Sequence, residues 1–136
     1  MVIAFLRPNP WFKRGRTKGE NGNYNGYVAF KEDLPLSWQG GATVKDLEIL
    51  DDLVDVHGGI TFDYRIREND EIIPLTAIPE DLHKYRVIGF DTAHHLDTAE
   101  EWTFEKTKKE TLALKEQIEK LIKIRIALTV LNTILK

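Results

Sequence analysis

The residues best suited to chemistry fall in two short segments, Val56-His57-Gly58-Gly59-Ile60-Thr61 and Gly89-Phe90-Asp91-Thr92-Ala93-His94-His95-Leu96-Asp97. In the first, paired glycines let the backbone turn sharply or approach a ligand closely, because they lack the Cβ that disfavours positive φ. Backbone N–H groups in such a turn can bind an anion, with His57 and Thr61 as flanking donors beside Gly58 and Gly59. A plain turn in which His57 packs or caps accounts for the same residues. The second segment places two carboxylates and two imidazoles within seven residues. Those are the ligand types of a divalent metal site, for which His57, Asp91 and His94 are the candidate ligands. They also suit general acid–base work, since imidazole titrates near neutrality and a carboxylate can orient it. A structural reading stands beside both: Asp97 next to Thr98 can help start a helix, and Asp91 can cap a turn. The ligand-binding set is therefore His57, Gly58, Gly59, Thr61, Asp91, His94 and Asp97.

Other chemistries lack their residues. The sequence has no cysteine, which excludes disulfides, thiolate zinc sites and cysteine nucleophiles. Ser37 is its one serine, and it contains no phosphate-binding glycine loop, H-E-x-x-H or G-x-S-x-G motif. Asp63 falls with Thr61 and Arg65 on one side of an alternating run, which reads as a solvent face.

These residues need elements to position them. At 136 residues, with 42% hydrophobic and 30% charged side chains, one domain spanning 1–136 is expected. Strands are expected near 1–6, 24–30, 53–57, 60–66 and 85–91. In 24–30, Tyr27 and Ala29 share one face and Val28 and Phe30 the other. One or two helical turns are expected over 43–50, and an irregular segment from Arg67 to His83 is broken by Pro74 and Pro79. Thr98 and Glu101 form a capping-box pattern, so a long helix is predicted over 99–136. The fold class that results is α+β, a small, mainly antiparallel sheet packed by that helix. The glycine turn and the second segment are expected to meet at one edge of the sheet.

The helix carries more apolar surface than one packing partner covers. Ile118, Leu121, Ile124, Leu128, Leu131 and Leu135 fall three or four apart, and Ile122, Ile126, Val130 and Ile134 run beside them. Either the whole helix lies over the sheet, or its final turns leave the domain and make a homo-oligomer contact.

Charge bears on partners. Residues 7–18 hold five basic side chains and no acid, while 46–55 hold five acids and no base; the net charge is −3. The basic stretch belongs to a loop over 7–23, expected to be flexible. Trp11 and Phe12 there resemble a base-stacking platform, but the acidic balance and the shortness of the stretch argue against nucleic acid. No segment has the apolar length of a membrane span, and the opening run lacks the pattern of a signal peptide, so a cytoplasmic protein is expected.

Taken in order, Asn25-Gly26-Tyr27-Val28, Val56-His57-Gly58-Gly59-Ile60-Thr61-Phe62 and Gly89-Phe90-Asp91-Thr92-Ala93-His94 with Asp97 resemble a family of small, uncharacterised bacteriophage and prophage proteins. Its motifs read N-G-Y-V, V-H-G-G-[LI]-T-[FY] and G-F-D-x-A-H-x-x-D. The resemblance covers roughly residues 24–121 and places the family's shared polar positions on His57, Thr61, Asp91, His94 and Asp97. The sequence departs from the pattern at His95 and Leu96, where small residues are usual. The resemblance implies a phage accessory setting and no particular reaction. Three functions fit such a site: capture of a small anionic ligand such as a nucleotide or phosphorylated metabolite, metal-dependent phosphoester hydrolysis, or inhibition of a host defence protein through surface contacts.

Overall fold

In the computed structural model, residues 1–9, 22–31, 53–67, 70–94 and 96–135 are described. Five strands form one antiparallel sheet: β1 (Ile3–Pro8), β2 (Tyr24–Phe30), β3 (Phe62–Tyr64), β4 (Ile73–Pro74) and β5 (Arg86–Phe90), in the order β3-β5-β2-β1-β4. One long helix, α1 (Phe104–Leu135), packs on it, giving the expected α+β architecture.

Alternation in β2 decides both faces of the sheet. Val28 and Phe30 join Ile88, Phe90, Leu114 and Ile118 beneath α1, whereas Tyr27 and Ala29 join Phe5, Val87 and Leu82 on the opposite side. That second face is covered by the chain between β3 and β5, where a 3-10 turn, Leu82–Lys84, inserts Leu82. Both faces are therefore dry. This accounts for the near-continuous burial of β2 and β5 despite antiparallel pairing, which often leaves one face wet.

The helix approaches β2 closely because small side chains line its contact. Thr107 and Thr111 are fully buried, and their hydroxyls donate back to Thr103 O and Thr107 O at 2.8 and 2.7 Å. Opposite them lies Gly26, where an added Cβ would overlap the Thr111 hydroxyl and the Phe90 ring. Gly26→Ala is expected to cost about 1–3 kcal/mol by overpacking. Denaturant midpoints should show that loss, and part of it should return when Thr111→Ala opens space.

Several boundaries differ from the sequence reading. β1 extends to Pro8, so Arg7 and Pro8 belong to the sheet rather than to a loop over 7–23. Pro8 lies beyond the rungs shared with β4, where its missing N–H leaves no gap in that ladder. Asn9 and Asn23 close the hairpin base through Asn9 N–H to Asn23 O at 2.8 Å. The remaining basic residues of that loop, with Trp11 and Phe12, lie outside the described residues, as does the turn expected over 43–50. No strand forms over 53–57. There the Gln117 side chain accepts from Asp55 N–H (2.7 Å) and donates to Asp55 O (2.8 Å), replacing a ladder partner. β3 is shorter than the predicted 60–66, being an edge strand paired only with β5. β4 arises within the segment read as irregular, held by Leu75 and Thr76 N–H groups on Ala4 O. Finally, Thr98 caps a separate turn by accepting Glu101 N–H at 3.1 Å, and α1 starts after it with Thr103 accepting Lys106 N–H at 3.2 Å. The interruption turns Trp102 into the core, 4% exposed.

Candidate functional site

β3 runs antiparallel to β5, so the turn leading into β3 lies beside the chain leaving β5. Thr61 N–H donates to Gly89 O at 2.9 Å and pins that junction. The two sequence motifs thereby meet. His57 Nε2 lies 3.0 Å from both Asp97 carboxylate oxygens, and His94 Nδ1 lies 3.2 Å from Asp97 Oδ2. These three side chains can each offer one ligand atom, all within 4.8 Å of one another. Asp97 is nearly buried, with its side chain 7% exposed, while the imidazoles are partly open at 27% for His57 and 33% for His94.

Each member is held from a different direction. Asp97 Oδ2 also accepts His94 N–H at 3.0 Å, and Asp97 N–H returns to His94 O at 3.0 Å, closing a tight loop. Leu96, inside that loop, adopts φ 73, a left-handed conformation disfavoured for a leucine, and its side chain is 79% exposed. The ring of His57 lies on Trp102, with centroids 4.1 Å apart, and meets His94 edge-on at 5.2 Å. Below, Thr92 anchors the start of the second segment, donating its hydroxyl to Tyr24 O at 2.7 Å and its N–H to Asn25 Oδ1 at 3.0 Å. The His94 ring sits over Gly58, whose φ of +68 and missing Cβ the contact requires; a side chain there would enter the imidazole.

Two backbone donors of the glycine turn are engaged. His57 N–H donates to Glu110 Oε1 at 2.8 Å and Gly59 N–H to Val56 O at 2.9 Å. α1 and the turn itself therefore take two of the donors that an anion bound at the turn would use, those of His57 and Gly59. Thr61 is exposed, and the hydrogen bonds of the cluster do not include its hydroxyl. Asp91 lies at the margin: its Oδ1 accepts Ala93 N–H at 2.9 Å and is 3.4 Å from His94 Nδ1. The candidate metal set read from sequence therefore changes in one member, with Asp97 in the centre and Asp91 beside it.

Electrostatically the cluster is acidic. Asp97, Asp91 and Glu110 surround two imidazoles, which suits a cation better than a bare anion. Burial works to raise the Asp97 pKa, but hydrogen bonds from the His57 ring and His94 N–H, with the nearby His57 charge, leave it below the ordinary carboxylate value. Asp97 is consequently ionised and available as a ligand at neutral pH.

Glu110, Gln117 and Trp102 were not legible as site residues. Glu110 and Gln117 are seven apart on α1, one face of the helix, and both fix the segment that carries His57. That heptad spacing of polar side chains beside the buried Thr111–Leu114–Ile118 ridge was the signal in the sequence.

In comparisons with known proteins, no family model, no curated protein and no solved structure matches the chain.

Proposed function

We propose that the chain is a phage-type accessory protein that holds a divalent cation on His57 Nε2, His94 Nδ1 and Asp97 and, through that cation, a small phosphate-bearing ligand. The observation that carries this reading is the convergence of two imidazole nitrogens on one nearly buried carboxylate. Two histidines and an aspartate are a ligand set for Zn2+ and related ions, and three protein ligands leave a tetrahedral ion one open position for an anion. A cation also answers the charge of the site, because carboxylates flank it and the His57 and Gly59 backbone donors are in use. The bacteriophage setting rests on the motif resemblance.

Hydrolysis of a phosphoester is the second reading, and Asp91 favours it. Its carboxylate lies 3.4 Å from His94 Nδ1 without being central to the cluster, so with a cation held by His57, His94 and Asp97 it would be available as a proton acceptor for an activated water.

Calorimetric titration of the metal-free protein with Zn2+ tests the proposal. One ion per chain is expected, with binding lost in His57→Ala and in His94→Ala. A nucleotide panel should then raise the melting temperature only in the presence of the ion, by mass action. Stoichiometric binding that survives both histidine substitutions would remove the site. A nucleotide shift without metal would replace cation bridging by direct capture, and turnover of a chromogenic phosphodiester would promote the hydrolase reading.

A further inference from the structure

Within the basic stretch 7–18, Arg7 is the charged residue that lies among the described ones. Neither it nor the Asn25-Gly26-Tyr27 motif belongs to the cluster of His57, His94 and Asp97, yet strand register brings both beside it. Arg7 faces Asn25 across β1 and β2, and the position after the Gly26–Phe90 rung sets Asn25 against Asp91. Residues directly opposite share a face of the sheet. Arg7, Asn25 and Asp91 therefore form one row across the end of the sheet, on the side of Phe5 and Tyr27. Two interstrand spacings make that row about 10 Å long at the backbone. Thr92 N–H, bonded to Asn25 Oδ1 at 3.0 Å, ties its middle to the chain leaving β5. At its far end Asp91 Oδ1 is 3.4 Å from His94 Nδ1.

Tyr27 underlies the row. A Cβ at Gly89 would overlap its ring, so the ring lies across β5, and the Arg7 guanidinium stands 5.5 Å from the ring centroid. Burial raises the Tyr27 pKa, the Arg7 charge and an Asn25 hydrogen bond oppose that rise, and the Asp91 charge reinforces it. The hydroxyl thus feels both ends of the row.

Arg7 has donors to spare. Its guanidinium carries five N–H groups, and its side chain is 26% exposed. Its ion pair with Asp70 Oδ1 is 3.7 Å long, beyond hydrogen-bond range. Asp70 is itself held elsewhere, its Oδ2 accepting Arg67 N–H at 2.9 Å. A planar fork with open donors suits two-pronged binding of a phosphoryl group.

We propose that Arg7 is an anion subsite, taking one phosphoryl group of a diphosphate ligand whose other phosphoryl group sits on the cation. The inference rests on the reading of His57, His94 and Asp97 as a cation site. Two phosphoryl groups are required because the Asp91 carboxylate stands between Arg7 and the cluster and repels a single phosphate placed midway.

Calorimetric titration of the Zn2+-loaded chain with ADP and with AMP tests it. ADP should bind about 10–100-fold more tightly, the worth of a charge-assisted pair of hydrogen bonds. Arg7→Met should abolish that difference and leave the Zn2+ stoichiometry unchanged. Asp70→Asn releases Arg7 from its ion pair and should tighten ADP about two- to fivefold. If Arg7 served only the fold, the two variants would break the same pair and weaken ADP alike, which would overturn the subsite. ADP affinity retained in Arg7→Met would overturn it too, with the cation site left standing. AMP bound as tightly as ADP would overturn the diphosphate class. If Zn2+ does not bind, the cation reading fails. Arg7-dependent ADP binding by the metal-free chain would then still support the subsite, and no ADP binding in either state would overturn it.

Discussion

Asp97→Asn is expected to weaken Zn2+ binding by at least about 100-fold, since losses of 10–100-fold already follow removal of groups that only support a ligand, while leaving the fold intact. The asparagine has the shape of the aspartate, and its carbonyl oxygen can still accept His94 N–H, the bond that closes the loop around Leu96. Its amide can still pair with His57 Nε2 in the accepting tautomer. What it lacks is the negative charge and the second oxygen, which a cation needs and the loop does not. Calorimetry read beside a thermal melt separates the two effects. Retained Zn2+ affinity would show that Asp97 orients the histidines without touching an ion, and the proposed centre would fail with it.

The same substitution has a pH signature. A carboxylate whose folded-state pKa is depressed stabilises the protein above its unfolded value, near 3.9, and that stabilisation drains away as pH falls through the folded value. Asp97 is such a group. Any stability advantage of wild type over Asp97→Asn at pH 7 should therefore persist down to about pH 4 and drain away only below it, as pH falls through the depressed Asp97 value. A difference that grew in acid would contradict the direction of the shift.

The fold was largely legible because its core strands obey a period that sequence displays. β2 falls on its predicted residues, and its two faces separate into two apolar clusters as Tyr27 and Val28 alternate. The meeting of His57 with Asp97 was legible only as an expectation. It depends on β3 pairing antiparallel with β5, and strand order is a long-range choice that no local pattern reports. Asp97 could be seen as a candidate but not as the centre, because its central place comes from the His57 ring forty residues away. The start of α1 misled for a related reason. Thr98 and Glu101 do form their cap, yet Trp102 is drawn into the core against His57 and Phe90, and the chain must turn again before the helix can begin.

Asp63 is the position at which alternation and burial part company, and it carries the largest stability effect expected here. Read as a solvent-facing residue, it instead makes a two-pronged pair with Arg86, whose Nε donates to Oδ1 at 3.2 Å and Nη2 to Oδ2 at 2.8 Å. Both side chains are buried, 4% and 7% exposed, and the Arg86 guanidinium lies 5.5 Å from the Phe30 ring centroid. Asp63→Ala should cost about 3–5 kcal/mol, because it takes a two-pronged, charge-assisted pair of hydrogen bonds away from a buried guanidinium. That is a large part of the roughly 5–15 kcal/mol that holds a domain together. The pair itself is a different quantity. Desolvating two charges offsets much of their attraction, so Asp63→Leu combined with Arg86→Met should lie within about 1–2 kcal/mol of wild type. Urea unfolding of the two single variants and the double variant closes the cycle. A double variant as unstable as the sum of the singles would mean that each side chain is needed for its own packing. A double variant near wild type would mean that the edge of the sheet requires charge balance at β3 and β5 rather than charge, and that the glycine turn entering β3 could be held in place by apolar contacts alone.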